Sequence, residues 1–149
     1  MKLNFIFKES FLNSDFTEIE LERCCNKASK LIASDYKIKF GTINILFCNS
    51  KTIKDYNKKY LSHNYETDII TFEYKEIKEN LVDSDIVISV NTVAKNAGFF
   101  KTHFKEELFR VIIHGILHLC GFKDKLVREK RMMRETENYY LSKLKFNAG

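Results

Sequence analysis

His114, Gly121 and Asp124 bracket the stretch of this sequence with the clearest chemical potential, His114-Gly-Ile-Leu-His118-Leu-Cys-Gly121-Phe-Lys-Asp124. His114 and His118 stand four residues apart, so on a helix both imidazoles leave the same face. Neutral imidazoles presented together suit a borderline-soft cation such as Zn2+. Alone, such a pair is better explained as two core histidines with satisfied hydrogen bonds. Gly121 and Asp124 shift the reading towards metal. A glycine there ends the helix and reverses the chain, and a carboxylate three residues further on can return to meet the same ion. Three protein ligands leave a fourth position for water, which is the pattern of a catalytic rather than a structural zinc site.

The spacing H-x3-H-x2-G-x2-D matches that of the zinc-peptidase signature H-E-x-x-H-x-x-G-x-x-H, with Asp124 in the third ligand place. Gly115 occupies the position of the peptidase glutamate, so the carboxylate that activates water for peptide attack is missing. The motif therefore points to a metal hydrolase and away from a peptidase or amidase. Cys120, the nearest candidate for a fourth, structural ligand, lies about 200° around the helix from His118.

HGILHLCGFKD resembles the HGxLHLxGYDH signature of the YbeY family of bacterial endoribonucleases. Thr67–Phe72 (TDIITF) is similar to that family's TDVLSF segment, and Ser84–Ser89 (SDIVIS) to its GDIVIS segment. Asn57 and Tyr60 match an N-x-x-[YF]-R stretch, with Leu61 in the arginine position. The resemblance implies an α+β fold holding one Zn2+ on His114, His118 and Asp124, the last being histidine in most members. It implies a single-strand-specific endoribonuclease, cleaving phosphodiester bonds with metal assistance in 16S rRNA 3′-end maturation and ribosome quality control. RNA, and with it the ribosome, is then the partner, and DNA is not. Asp85 and Asp68, in the two upstream segments, become candidates for acid–base work or for strand-end capping. Lys58 and Lys59 near Leu61, and Arg128 and Arg131 with Lys130 and Arg134 further on, are candidates to hold the RNA backbone. Neither the general base nor the choice between water and the RNA 2′-OH as nucleophile follows from these residues. A non-catalytic ribosome-binding factor with a structural zinc stays open as an alternative.

The elements that must position these residues are legible from periodicity. With 149 residues, 44% hydrophobic and 30% charged, the chain suits one soluble domain, 1–149. Residues 1–100 balance 14 basic against 14 acidic side chains, whereas 101–149 carry 11 against 6, so the whole +5 lies beside the metal motif. No signal peptide or membrane-length apolar run is present, and four cysteines without a CxxC pair read as reduced thiols in a cytoplasmic protein. Leu3, Phe5 and Phe7 alternate in a first strand, and Ile43, Ile45 and Phe47 in a second. Thr17 and Glu20 form a capping-box pattern ahead of a helix carrying Leu21, Cys24, Ala28, Leu31 and Ile32. Ser50 is expected to cap a helix through Tyr60, and HNYETD to form a loop. ITFEY (70–74) and DIVISV (85–90) read as strands joined by an exposed KEIKENLVD. Asn91 and Gly98 are expected to start and stop a short helix. A buried helix follows over 103–119, and an amphipathic one over 125–146 with Leu126, Met133, Tyr140 and Leu144 near one face. The order β-α-β-α-β-β-α-α-α predicts an α+β fold: a mixed sheet of about four strands packed with about five helices, the metal site on the buried helix.

Overall fold

Alternation in the strands and 3.6-residue periodicity between them produce nine elements in the expected order. They are β1 (Lys2–Phe7), α1 (Glu18–Tyr36), β2 (Phe40–Cys48), α2 (Ser50–Leu61), β3 (Ile69–Glu76), β4 (Leu81–Ser89), α3 (Val90–Phe100), α4 (Phe104–Leu119) and α5 (Val127–Lys143). The structure, a computed structural model, describes residues 1–63, 67–76 and 81–146, with only the backbone of 75 and 76. Residues 64–66 of the expected loop and 77–80 of the expected connection lie outside the described residues.

The four strands form one mixed sheet in the order β1-β2-β4-β3. β1 and β4 both run parallel to β2, and β3 pairs antiparallel with β4. Ile43, Ile45 and Phe47 on β2, with Ile86 and Ile88 on β4, turn to one face and are fully buried against α1 and α4. Each such side chain contributes about 1.5–3 kcal/mol when fully buried. Leu46, Val87, Ile70 and Phe72 turn to the other face, where α2 packs through Ile53 and Tyr56.

α4 is apolar on most sides because it is enclosed on most sides. It touches α1, α3, α5, β3 and β4. Gly115 lets it lie close to the sheet: a Cβ there would stand 2.7 Å from Ile69 Cδ1.

Several boundaries differ from the sequence expectations, mostly at caps. Thr17 Oγ1 accepts from the Glu20 N–H at 3.2 Å, but the Glu20 carboxylate turns to Lys105 Nζ at 2.6 Å, so only half of the capping box forms. Asn49, not Ser50, caps α2, accepting from the Thr52 N–H at 2.8 Å. Ser89, not Asn91, caps α3, while Asn91 Oδ1 accepts from the Ser50 N–H. Gly98 lies inside α3, which ends instead at Lys101 in the left-handed conformation (φ 56°). β3 and β4 run further into the expected connection because their antiparallel pairing continues to Glu76 and Leu81. α5 stops before Leu144, which is nevertheless buried, and Leu126 is half exposed at its N-cap.

All four cysteines are free thiols; Cys24, Cys25 and Cys48 are buried and Cys120 is half-buried. Burial pushes the Cys48 and Cys120 thiols up to about 11, which leaves both as packing groups rather than nucleophiles. Among the described residues no helix is long and apolar enough to cross a membrane.

Candidate metal centre

The last two turns of α4 and the reversal after it bring three ligand atoms together. His114 Nε2 and His118 Nε2 lie 2.9 Å apart. Asp124 Oδ2 lies 3.2 Å from the first and 3.4 Å from the second. The reversal is built on Gly121, whose φ of 96° favours a residue without a Cβ. Its N–H donates to the His118 carbonyl at 3.0 Å and the Phe122 N–H to the Leu117 carbonyl at 3.1 Å, closing the helix end. The turn also aims the Phe122 carbonyl at His118 Nδ1, 2.8 Å away.

The partners of the two Nδ1 atoms decide what the Nε2 atoms offer. A carbonyl oxygen only accepts, so His118 Nδ1 carries a proton. His114 Nδ1 lies 2.7 Å from Glu137 Oε2, and the other oxygen of Glu137 meets Arg110 at 3.3 Å and Arg134 at 3.7 Å. With two guanidinium groups beside it, Glu137 is an ionised acceptor, so His114 Nδ1 also donates. With Nδ1 engaged in each ring, it is the Nε2 atoms that face the Asp124 carboxylate oxygen. In the neutral form of the rings the three atoms are all acceptors, an arrangement that a cation resolves as a proton would. Imidazole, imidazole and carboxylate form a donor set that fits zinc. Burial works to lower the His114 pKa, but the hydrogen bond and charge of Glu137, aided by Asp124 and Asp68, outweigh it and raise it. The same negative surroundings favour a bound cation.

A cleft crosses this cluster in two arms that share Asp68, His114 and Asp124. One arm, of about 440 Å³, runs past Leu61, His63 and Thr71. The other, of about 590 Å³, runs past Phe100, Arg110, Lys130 and Arg134. Asp68 sits at the foot of β3, its carbonyl accepting from the Ser89 N–H at 2.9 Å. Burial raises its carboxyl above the usual range, although nearby His114 pulls the other way.

The remaining expected site residues do not gather here. Asp85 lies on the outer face of the sheet, away from α4. There Asn44 Nδ2 donates to its Oδ1 at 3.0 Å and the Tyr74 hydroxyl to its Oδ2 at 3.3 Å. The reason is the two-residue period of β4: Ile86 packs under Gly115, so Asp85 must face the other way. Lys58 and Lys59 are exposed on the last turn of α2, Lys59 beside the Tyr60 ring, while Asn57 and Leu61 are the α2 side chains that reach the cleft. Arg128 lines a separate depression with Cys120 and Phe122, and Arg131 is exposed outside the cleft lining; from α5 it is Lys130 and Arg134 that line the cleft. Gly115 faces the sheet, so no carboxylate reaches the centre from that position.

Glu137 and Arg110 escaped the sequence reading. The available signal was that Glu137 falls in line with Met133 and Tyr140 at i−4 and i+3, on the buried face of an otherwise charged helix.

A family model described as Endoribonuclease YbeY matches residues 8–145. A protein named Endoribonuclease YbeY from Parabacteroides distasonis is 48% identical over 113 residues, 76% of this chain and 78% of that one. Its namesake in Azobacteroides pseudotrichonymphae is 40% identical over 134 residues, 90% of this chain and 94% of that one. In fold, the chain is similar to the solution structure of TM1509 from Thermotoga maritima, with a TM-score of 0.64 at 22% identity, covering 95% of this chain and 88% of that one. A match that spans nearly the whole chain, backed by relatives of this closeness, establishes that it belongs to the YbeY family of endoribonucleases.

Proposed function

We propose that this chain is a zinc-dependent endoribonuclease that cuts single-stranded RNA, with His114, His118 and Asp124 holding one Zn2+. The observation that carries the reading is the convergence of three lone-pair donors, with both outer imidazole nitrogens already engaged, at the meeting point of two cleft arms. When bound, zinc supplies a Lewis acid for a phosphoryl oxygen and a lowered pKa for water. Glu137 and the Phe122 carbonyl fix the two rings in the tautomer that binds metal. Asp68, lining the cleft beside His114 with its carboxyl pKa raised by burial, is placed to hold or move a proton beside the centre. Family membership supports 16S rRNA 3′-end maturation and ribosome quality control as the setting, with the ribosome as partner and the cytoplasm as location.

The two alternatives fare worse on specific grounds. A peptidase lacks its glutamate, and Gly115 faces the sheet rather than the cleft. A purely structural zinc wants four protein ligands, whereas the metal-competent group among the described residues has three.

Metal analysis of the purified protein, paired with cleavage of a labelled single-stranded RNA, tests the reading. His114→Ala and His118→Ala are each expected to lose stoichiometric zinc and detectable cleavage while staying folded by circular dichroism. Retention of full zinc by both variants would refute the site. Asp124→His is expected to keep the metal, because imidazole replaces one good ligand with another. A 2′,3′-cyclic phosphate on the product is inconsistent with direct attack by water and would assign it to the RNA 2′-OH.

A further inference from the structure

The two arms of the cleft differ in what they offer a strand of RNA. Among the described residues lining the α2 arm there is no lysine or arginine, and Leu61 presents an apolar side chain there. The α5 arm carries Arg110, Lys130 and Arg134. Arg110 is committed: it is nearly buried and bonds Glu137 and Asn138. Arg134 is 51% exposed and 3.7 Å from the nearest Glu137 oxygen. Of the carboxylates of this arm, Glu107 at 5% and Glu137 at 4% exposure are covered, and Asp124, 38% exposed, belongs to the metal-competent cluster, so away from that cluster it is the cations that face an approaching polyanion.

Beside Arg134, at the end of α3, stands an exposed aromatic ring that meets Phe99 edge-on, with centroids 5.1 Å apart. Phe100 is 52% exposed, lines the same arm, and has the Arg134 guanidinium 5.9 Å from its centroid. A single exposed aromatic is ordinary. An exposed ring paired with an exposed guanidinium, in a cleft that leads to a metal-competent cluster, is the combination by which proteins hold single-stranded nucleic acid: stacking for a base, a cation for its phosphate. Phe99, adjacent and 80% exposed, does not line the cleft.

We infer that Phe100 and Arg134 form a nucleotide subsite on the α5 side of the cleft, Phe100 stacking on a base that flanks the scissile phosphate and Arg134 neutralising a neighbouring phosphate. The inference rests on the proposed RNA-cleaving function and adds to it the direction from which the strand is held. Because stacking tolerates any base, the subsite confers grip rather than sequence preference.

The test is fluorescence-anisotropy titration of the full, zinc-loaded chain with a labelled 2′-O-methyl oligoribonucleotide of mixed sequence, whose integrity is checked on a gel afterwards. Phe100→Ala is expected to weaken binding roughly 5- to 150-fold, with Phe100→Trp restoring it. Arg134→Gln is expected to lower the slope of log affinity against log salt by about 0.7, one phosphate contact on a single strand. Equal affinity of Phe100→Ala and the parent, failure of Trp to restore, or an unchanged salt slope in Arg134→Gln would each overturn the subsite. If the parent chain itself neither binds the oligonucleotide nor cleaves RNA, the proposed function fails and the subsite with it.

Discussion

Asp68 and Asp85 come from segments of similar composition, each an aspartate followed by a β-branched run, yet they end on opposite sides of the sheet. Asp68 stands at the foot of β3 in the helix-covered cleft, with His114 near enough to influence its charge. Asp85 closes a polar row across the outer face, in which Asn4 donates to Asn44 at 2.9 Å and Asn44 donates to Asp85. That row follows the strand register, which sets Asn4 opposite Asn44 and Asn44 opposite Asp85. One carboxylate thus lines the cleft and the other serves cross-strand bonding. The difference is that Asp85 lies inside β4, where alternation turns it to the outer face, whereas Asp68 precedes Ile69, the first paired residue of β3, and is not bound by that alternation.

Three substitutions break or sharpen this contrast. Asp68→Asn is expected to cut the turnover of single-stranded RNA by about 10²-fold or more while zinc content stays stoichiometric; full activity would place Asp68 among the merely structural carboxylates and erase the contrast. Glu137→Gln is expected to weaken zinc affinity about 10- to 100-fold, read by competition with a chromogenic chelator, because a neutral amide no longer raises the basicity of the His114 ring. An unchanged affinity would mean that the buried carboxylate serves Arg110 alone. Asp85→Asn is expected to leave both zinc content and RNA turnover within about twofold, as a change remote from the cleft should. A loss comparable to that of Asp68→Asn would show that the outer face takes part in the reaction.

The layout of the fold was open to reading because its strongest signals are long and periodic. The alternation of Ile43, Ile45 and Phe47 can satisfy only a half-buried strand, and the apolar run of α4 only an enclosed helix. The convergence of His114, His118 and Asp124 was legible for the same reason: i, i+4 on a helix brings two imidazoles together, and a glycine turn returns the carboxylate. The caps were harder, since Asn49 and Ser50, or Ser89 and Asn91, are chemically equivalent candidates one or two residues apart, and backbone geometry chooses between them. Asp85 was misplaced because proximity to a motif says nothing about which face of a strand a side chain takes. Glu137 was invisible to motif reading because its partner, His114, lies 23 residues earlier on another helix.

The turn at Gly121 couples two properties usually measured apart. The same few residues close α4, supply through Phe122 the oxygen that orients His118, and carry Asp124 back to the cluster. Any side chain at position 121 meets open space but a strained backbone, since its φ of 96° belongs to glycine. Fraying of this joint would cost the cluster one ring orientation and one ligand together, leaving His114 alone on an intact helix. On the proposed zinc site, affinity for the ion would therefore also gauge local order at the end of α4, and a chelator would compete for the ion against the ligands and the closure of the joint at once.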